Sequence, residues 1–248
     1  SNPDADLIEA ALKHGQPVKL KLALDCGTEG EYTGANVIGE ITGSERPDEI
    51  VAIGGHLDSW DLGTGAIDDG AGVAIAMAAG AQVMKSGQRP KRTIRVVAFA
   101  NEESGLFGGK AYAEAHAAEL AKHVLVSESD GGAGRVWQLG ASVKPEALGA
   151  IDQIMQVLAP LGVARGGNGG GGPDFSPFHA KGVAALSLRQ DATHYFDWHH
   201  TANDTLDKID RDDIAQNVAV YATWTYLAAE TEGDFGSAPG AFANDKGE

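Results

Sequence analysis

The chain has 248 residues, which suits one large α/β domain or two small ones, and 43% of them are hydrophobic, enough to bury a substantial core. Its 35 acidic residues outnumber its 19 basic ones and give a formal net charge of −16, which argues against nucleic-acid binding and against a basic membrane-surface protein. The single cysteine permits neither an internal disulfide nor a thiolate zinc cluster, so a metal site must use His, Asp and Glu.

Hydrophobic patterns predict alternating strands and helices. In chain order they are a helix at Asp4–His14, an edge strand at Val18–Ala23, strands at Ala35–Thr42 and Glu49–His56, a helix at Asp69–Lys85, a strand at Thr93–Ala100, a helix at Gly105–Lys122, a strand at His123–Asp130, a helix at Pro145–Leu158, a strand at Val183–Arg189 and a helix at Arg211–Glu230. Most of the strands lack strict alternation and are rich in Val, Ile and Ala, as strands buried on both faces are. This order predicts a three-layer α/β/α sandwich with a mostly parallel central sheet.

Metal-type side chains lie at the ends of the predicted strands. His56 ends one run, Glu102 and Glu103 follow the next, Asp130 ends a third, and His200 lies in the loop after the last. In parallel α/β sheets, ligands bind beyond the carboxyl ends of the strands. Four separate segments are therefore expected to deliver these side chains to one edge of the sheet, where they predict a metal site.

The first of these segments, GGHLDSWDLGTGAIDDGAG, adds two carboxylates. Asp58 lies two residues after His56, so the two side chains point the same way from an extended chain. A metal-bound imidazole usually donates its other N–H to a carboxylate, and Asp58 is a candidate for that partner. Asp68 follows at the mouth of the next predicted helix, and its two oxygens are able to bridge two metals.

The second segment, NEESGLFGG, contains adjacent carboxylates. Within a regular strand, neighbouring side chains point to opposite faces, but at a strand end, where the chain turns, both can reach one site. One of Glu102 and Glu103 can then bind metal while the other accepts a proton from a water molecule whose pKa zinc lowers to roughly 7.

The last two segments leave the choice of ligand open. In SESDGG, Glu128 and Asp130 share a face, and either is able to bind metal. In YFDWHHTANDT, His199 and His200 are adjacent, so one of them is expected to bind a given metal, and Asp204 is a candidate to orient that ligand or brace the loop.

Together the segments GGHLDSWD, GAIDDGAG, NEESG, ESDGG and HHTANDT, in this order and at these separations, resemble the zinc aminopeptidase family of two-zinc exopeptidases. The resemblance covers roughly Asn36–Leu227. The run Pro90–Glu103 and the paired His199 and His200 point to the carboxypeptidase Q branch of that family. The zinc-dependent exopeptidase fold, an α/β/α sandwich, is implied.

The resemblance also implies a set of metal ligands. His56 and Asp130 would hold one zinc ion, Glu103 and His200 would hold the other, and Asp68 would bridge the two. Zinc is the expected cofactor, as two Zn²⁺ ions, although the same donors accept Co²⁺ or Mn²⁺.

For the reaction, the resemblance implies hydrolysis of short peptides or dipeptides through a metal-bridging hydroxide, with Glu102 as the general base. Asp58 would support His56, and His199 and Asp204 are candidates for positions behind the ligands or on the substrate side. The alternatives are a related amidohydrolase, such as an N-acyl amino acid deacylase or a single-zinc glutaminyl cyclase, and a non-catalytic peptide-binding fragment.

The expected domain organisation follows from the same resemblance. Residues 1–232 are expected to form a catalytic domain that lacks the propeptide, the protease-associated domain and an N-terminal part, and residues 233–248 to form a flexible tail.

A secreted or periplasmic location is implied, although no signal-peptide pattern is present. No apolar run approaches the roughly 20 residues of a membrane span. Short peptides are the expected partners, nucleic acid is not, and a homodimer is compatible with the sequence.

Overall fold

The computed structural model describes residues 2–27 and 30–236, which belong to two compact units, 1–33 and 34–248. In the first unit, helix α1 spans Asn2–Lys13. The edge strand predicted at Val18–Ala23 is wrong, because these residues form no strand and Leu20 and Leu22 are exposed. An alternating pattern is not sufficient for a strand, since each strand also needs a neighbour to complete its backbone hydrogen bonds.

The second unit is built on a seven-stranded sheet within the described residues. Its strands are β1 Val37–Ile41, β2 Arg46–His56, β3 Arg92–Phe99, β4 His123–Glu128, β5 Val136–Ser142, β6 Ala164–Arg165 and β7 Ala185–Gln190. Their spatial order is β1-β3-β2-β4-β7-β5-β6. Four pairs are parallel, namely β2 with β3, β2 with β4, β4 with β7 and β5 with β6. Two pairs are antiparallel, namely β1 with β3 and β5 with β7. The predicted mostly parallel sheet is confirmed, but β5 and β6 were not predicted.

Helices cover both faces of this sheet. They are α2 Ala71–Lys85, α3 Phe107–Ala115, α4 Leu148–Leu158, α5 Ser176–His179, α6 Tyr195–Trp198 and α7 Arg211–Glu230, with a π-helical turn at Ala66–Gly70 and 3₁₀ turns at Ala117–Lys122, Pro145–Ala147, Ala159–Leu161 and Leu206–Lys208. No helix of the described residues is both long and apolar enough to cross a membrane.

The two faces of the sheet bury separate apolar clusters. Helices α2, α4 and α7 pack on one face, where Val51 and Ile53 of β2 meet Trp224 of α7. Residues of α3 and α5 contribute to the cluster on the other face, which includes Ala52 and Phe178. Successive residues of β2 therefore enter opposite clusters, which explains why the run is apolar throughout rather than alternating. The three-layer α/β/α sandwich is confirmed.

The strand register determines where the polar strand ends meet. His56 at the end of β2 lies opposite Phe99 at the end of β3, and Gly54 lies opposite Glu128 at the end of β4. The residues that follow β3 and β4 therefore leave the sheet beside His56. This is the edge at which the sequence predicts a metal site.

Of the tail expected at residues 233–248, the structure describes 233–236, and 237–248 lie outside the described residues. Phe235 is buried, and its carbonyl accepts a hydrogen bond from the backbone N–H of Lys144 at 2.9 Å. Asp234 forms an ion pair with the side chain of Lys144 at 2.6 Å. Residues 234 and 235 thus contact the loop that precedes α4.

A buried polar chain connects β3, α3 and β4 away from the polar strand ends. Arg95 donates to the Tyr112 hydroxyl at 2.8 Å, and that hydroxyl contacts Nε2 of His123 at 2.9 Å. Nδ1 of His123 lies 3.0 Å from the carbonyl of Glu119, which can only accept, so Nδ1 carries the hydrogen and Nε2 accepts from Tyr112. Burial, helped by the charge of Arg95, lowers the pKa of His123 to about 4.

Because of this lowered pKa, the free energy of unfolding depends on pH. The unfolded chain binds a proton at His123 near pH 6.5 and the folded chain near pH 4, so stability falls as the pH drops from 6.5 to 4. We expect the wild type to lose about 2 kcal/mol more unfolding free energy between pH 7.5 and 5 than His123→Gln. Urea denaturation at both pH values measures the difference. His14→Gln, at an exposed position directly after α1, should behave as the wild type, and equal losses in wild type and His123→Gln would contradict the assignment.

Candidate metal centre

Strand β2 carries His56 to the edge of the sheet, where the imidazole is 1% exposed. Nε2 lies 3.2 Å from Oδ1 of Asp68 and 3.6 Å from Oδ1 of Asp130. Nδ1 donates to the backbone carbonyl of Asp58 at 2.9 Å, so Nε2 is the nitrogen that remains available to a metal. Burial lowers the pKa of His56, but Asp130 and Asp68 outweigh this effect and raise it to about 12.

The carboxylate of Asp68 lies between two groups of side chains. Oδ1 faces His56, whereas Oδ2 lies 3.1 Å from Nε2 of His200 and 3.3 Å from Nε2 of His199. Nε2 of His200 also lies 3.0 Å from Oε2 of Glu103. One buried carboxylate thus presents each of its oxygens to a different set of possible metal ligands.

The backbone around Asp68 is irregular, and Asp204 holds it in place. The carboxylate of Asp204 accepts from the backbone N–H of Ile67 at 2.6 Å and from that of Asp68 at 3.1 Å. The Asp68–Asp69 peptide bond is cis, and both residues have extended rather than helical φ angles. Because these φ angles are not helical, α2 begins at Ala71, two residues later than the sequence pattern predicts.

The side chain of Asp58 braces the turn after β3. Its Oδ1 accepts from the backbone N–H of Glu102 at 2.8 Å, and its Oδ2 accepts from that of Glu103 at 3.1 Å. Its carboxylate lies 3.6 Å from Nδ1 of His56, whose hydrogen bond goes to the Asp58 carbonyl instead. Asp58 therefore connects the end of β2 with the adjacent glutamates. Burial raises the pKa of Glu102 to about 7.

The structure separates the carboxylates that the sequence left open after β4. Asp130 Oδ1 lies 3.6 Å from Nε2 of His56. Glu128 is buried, and its Oε2 accepts from the backbone N–H of Asp174 at 2.8 Å. Of the two, Asp130 is the one in contact with another possible ligand.

Both adjacent histidines reach Asp68, and their rings stack with centroids 3.5 Å apart. His200 also contacts Glu103, and it adopts a left-handed backbone conformation with φ of 58°. His199 makes its ion-pair contact with Asp68 alone among the described residues. The second contact favours His200 as the ligand and leaves His199 beside it.

Two further residues at this edge were missed by the sequence analysis. Asp69 is buried, and its carboxylate accepts from the backbone N–H groups of His56 and Gly72, each at 3.0 Å. Trp60 donates its indole N–H to Oε2 of Glu103 at 2.8 Å. Asp69 was not recognised because acidic residues at a helix start normally indicate capping. Trp60 lies within the GGHLDSWD segment but carries no group that binds metal.

The residues present fit divalent metals. Three groups of side chains bring one ligand atom each to within 4.8 Å of one another: Asp68 with His199 and His200, His56 with Glu102 and Glu103, and His56 with Asp69 and Asp130. Glu103 Oε1 is buried without a hydrogen-bond partner among the described residues, and Asp68 Oδ2 is buried with only the histidine ion-pair contacts described above. Burial raises the pKa of Asp69 and of Asp130, and repulsion from neighbouring carboxylates adds to this effect. Imidazole nitrogens and carboxylate oxygens without thiolates are a donor set that zinc accepts.

We expect Asp204→Asn to weaken zinc binding about 10- to 100-fold, because it replaces one acceptor for the Ile67 and Asp68 N–H groups by a donor and so releases the backbone behind Asp68. Competition with a chromophoric chelator measures the affinity. Asp207→Asn, an exposed carboxylate of the following turn, is the matched control and should bind zinc as the wild type does. Unchanged affinity in Asp204→Asn would refute a bracing role.

A family model described as peptidase family M28 matches residues 36–225. The chain is 35% identical over 229 residues to carboxypeptidase Q of Rattus norvegicus, covering 92% of this chain and 48% of the rat protein. It therefore spans about half the length of the curated relatives that it matches most fully.

Solved structures give the same match. A crystal structure of a peptidase M28 precursor from Shewanella amazonensis is 54% identical, with a TM-score of 0.88, and the similarity covers 95% of this chain and 53% of that one. An aminopeptidase from Aneurinibacillus is 28% identical, with a TM-score of 0.61 over 82% of this chain and 50% of that one.

Proposed function

The chain belongs to peptidase family M28, and from this membership we propose that it is a zinc-dependent exopeptidase that hydrolyses short peptides or dipeptides. The family and the carboxypeptidase Q branch expected from the motifs are both confirmed. The observation that carries the proposed activity is the placement of Asp68, whose two oxygens face two separate sets of ligands beside Glu102 and Glu103.

In this proposal His56 and Asp130 would hold one zinc ion, Glu103 and His200 would hold the other, and Asp68 would contribute to both. Zinc supplies Lewis acidity, which polarises a carbonyl group and lowers the pKa of water. The donors also accept Co²⁺ or Mn²⁺. The contacts of Asp130 with His56 and of His200 with Glu103 support this division.

Glu102 is the proposed general base. It follows directly on the turn that Asp58 braces, and its carboxylate lies within 4.8 Å of ligand atoms of His56 and Glu103. From this position it takes a proton from the attacking water and returns it to the leaving amine. The adjacent Glu103 is less suited to this role, because its Oε2 already contacts both Trp60 and His200.

Replacing Glu102 with Gln should lower kcat by about 10²- to 10⁴-fold, because the side chain keeps its shape but loses the ability to accept a proton. Zinc content should stay at the wild-type level. Turnover is measured with dipeptides, aminoacyl anilides and acetylated amino acids, and Glu114→Gln, an exposed residue of α3, serves as the control. Wild-type-like turnover in Glu102→Gln would exclude this base, and a preference for acetylated amino acids would favour the deacylase alternative.

Metal content tests the shared ligand. We expect about two zinc ions per wild-type chain, about one in His200→Ala, and close to none in Asp68→Ala, because the two oxygens of Asp68 face different sets of ligands. Elemental analysis after dialysis against excess zinc measures these values, with His14→Ala as the control. Equal zinc content in the Asp68→Ala and His200→Ala variants would contradict a bridging role, and no zinc in the wild type would favour a non-catalytic protein.

The family resemblance further supports a secreted or periplasmic location, which we include in the proposal.

A further inference from the structure

A cavity of about 620 Å³ lies against the proposed ligand Asp130. Its wall includes Gly131 beside that ligand, Trp137 of β5, Gly172 and Arg189 of β7. Its volume is in the range of sites that hold small molecules or short peptides, about 300–1,000 Å³. A substrate whose scissile bond lies at the metal ligands can therefore extend into it.

Arg189 is the cationic group of this wall. Its neighbour Leu188 enters the core between the sheet and α7, whereas Arg189 faces the opposite side and is exposed. Within the described part of the chain, the guanidinium group of Arg189 forms no ion pair with a carboxylate and donates no hydrogen bond to an acceptor. By contrast, Arg92 and Arg95 each pair with a glutamate.

The chemistry of the wall points to one class of ligand. A guanidinium group has a planar fork of donors that matches a carboxylate, and it retains its charge at all relevant pH values. The carboxyl groups of Glu128, Asp130 and Asp191 also line the cavity, so a singly charged carboxylate is repelled less than a doubly charged anion such as phosphate. The indole of Trp137 adds an apolar surface beside the cation.

We propose that Arg189 binds a carboxylate of the peptide substrate and makes the enzyme selective for peptides that carry one close to the scissile bond. The inference rests on the proposed function, since it concerns the substrate of the same site. Two sources present this chemistry, namely the free C-terminal carboxylate of a dipeptide and an acidic side chain.

Kinetics with matched peptides separate the two sources. Ala-Ala is compared with Ala-Ala amide, and Glu-Ala with Gln-Ala, using zinc-loaded wild type, Arg189→Gln and Arg89→Gln. The wild type should favour the charged member of one pair by about tenfold in kcat/KM, mainly through KM, and Arg189→Gln should abolish that preference. The pair that responds identifies the source. Arg89 precedes β3 at the opposite end of the sheet, where it donates to the Thr42 carbonyl, and its variant should keep the preference.

Equal kcat/KM within both pairs in the wild type, or a preference that persists in Arg189→Gln, would overturn the inference. Calorimetry keeps this test independent of turnover. Zinc-loaded Glu102→Gln should bind the charged peptide about tenfold more tightly than its neutral partner, and Glu102→Gln/Arg189→Gln should bind both alike. If the wild type hydrolyses no peptide, the proposed function fails while calorimetry still decides the role of Arg189. Equal binding, or no binding of any of the peptides, would refute that role.

Discussion

The parallel pairing of β2 with β3 and β4 is the constraint on which the rest of the molecule depends. Parallel strands end at the same edge, and the register places His56 opposite Phe99 and Gly54 opposite Glu128. The glutamate pair after β3 and Asp130 after β4 therefore emerge beside the imidazole. Because the strands are joined by helices that cover both faces, the strand interiors are apolar and the polar chemistry is restricted to their ends.

Such an arrangement concentrates negative charge in a small space. Four carboxylates lie close together, namely those of Asp68, Asp69, Asp130 and Glu103. Burial raises the pKa of the last three. For Asp68, the imidazoles of His56, His199 and His200 outweigh burial and lower the pKa. A buried charge is costly unless it is paired or coordinates a metal. The imidazoles offset part of this cost, and the proposed cations would offset much of the remainder. The local charge thus agrees with the acidic composition of the whole chain.

Carboxylates at this edge have two kinds of partner. Asp58, Asp69 and Asp204 accept hydrogen bonds from backbone N–H groups and so hold the loops that carry the proposed ligands. Asp68 and Asp130 instead contact imidazole nitrogens. Residues of the same type in neighbouring positions therefore either fix the backbone or face the metal site, and only their contacts tell the two groups apart. The exposed arginine of β7 lies beyond both groups, on the wall of the adjoining cavity.

The sequence by itself determined the α/β/α class, the positions of five strands and the full extent of α7. For β2, β3, β4 and β7 the physical reason is burial, which leaves a nearly uninterrupted apolar run. It also determined which segments bring polar groups to the strand ends. The tertiary structure alone decided what depends on distant partners. It added β5, which pairs with β7, and β6, which pairs with β5, and it removed the strand at Val18–Ala23, which lacks a paired neighbour. It directed Glu128 towards Asp174 and Asp130 towards His56, because side-chain direction at a strand end is decided by the backbone turn and its contacts rather than by residue type.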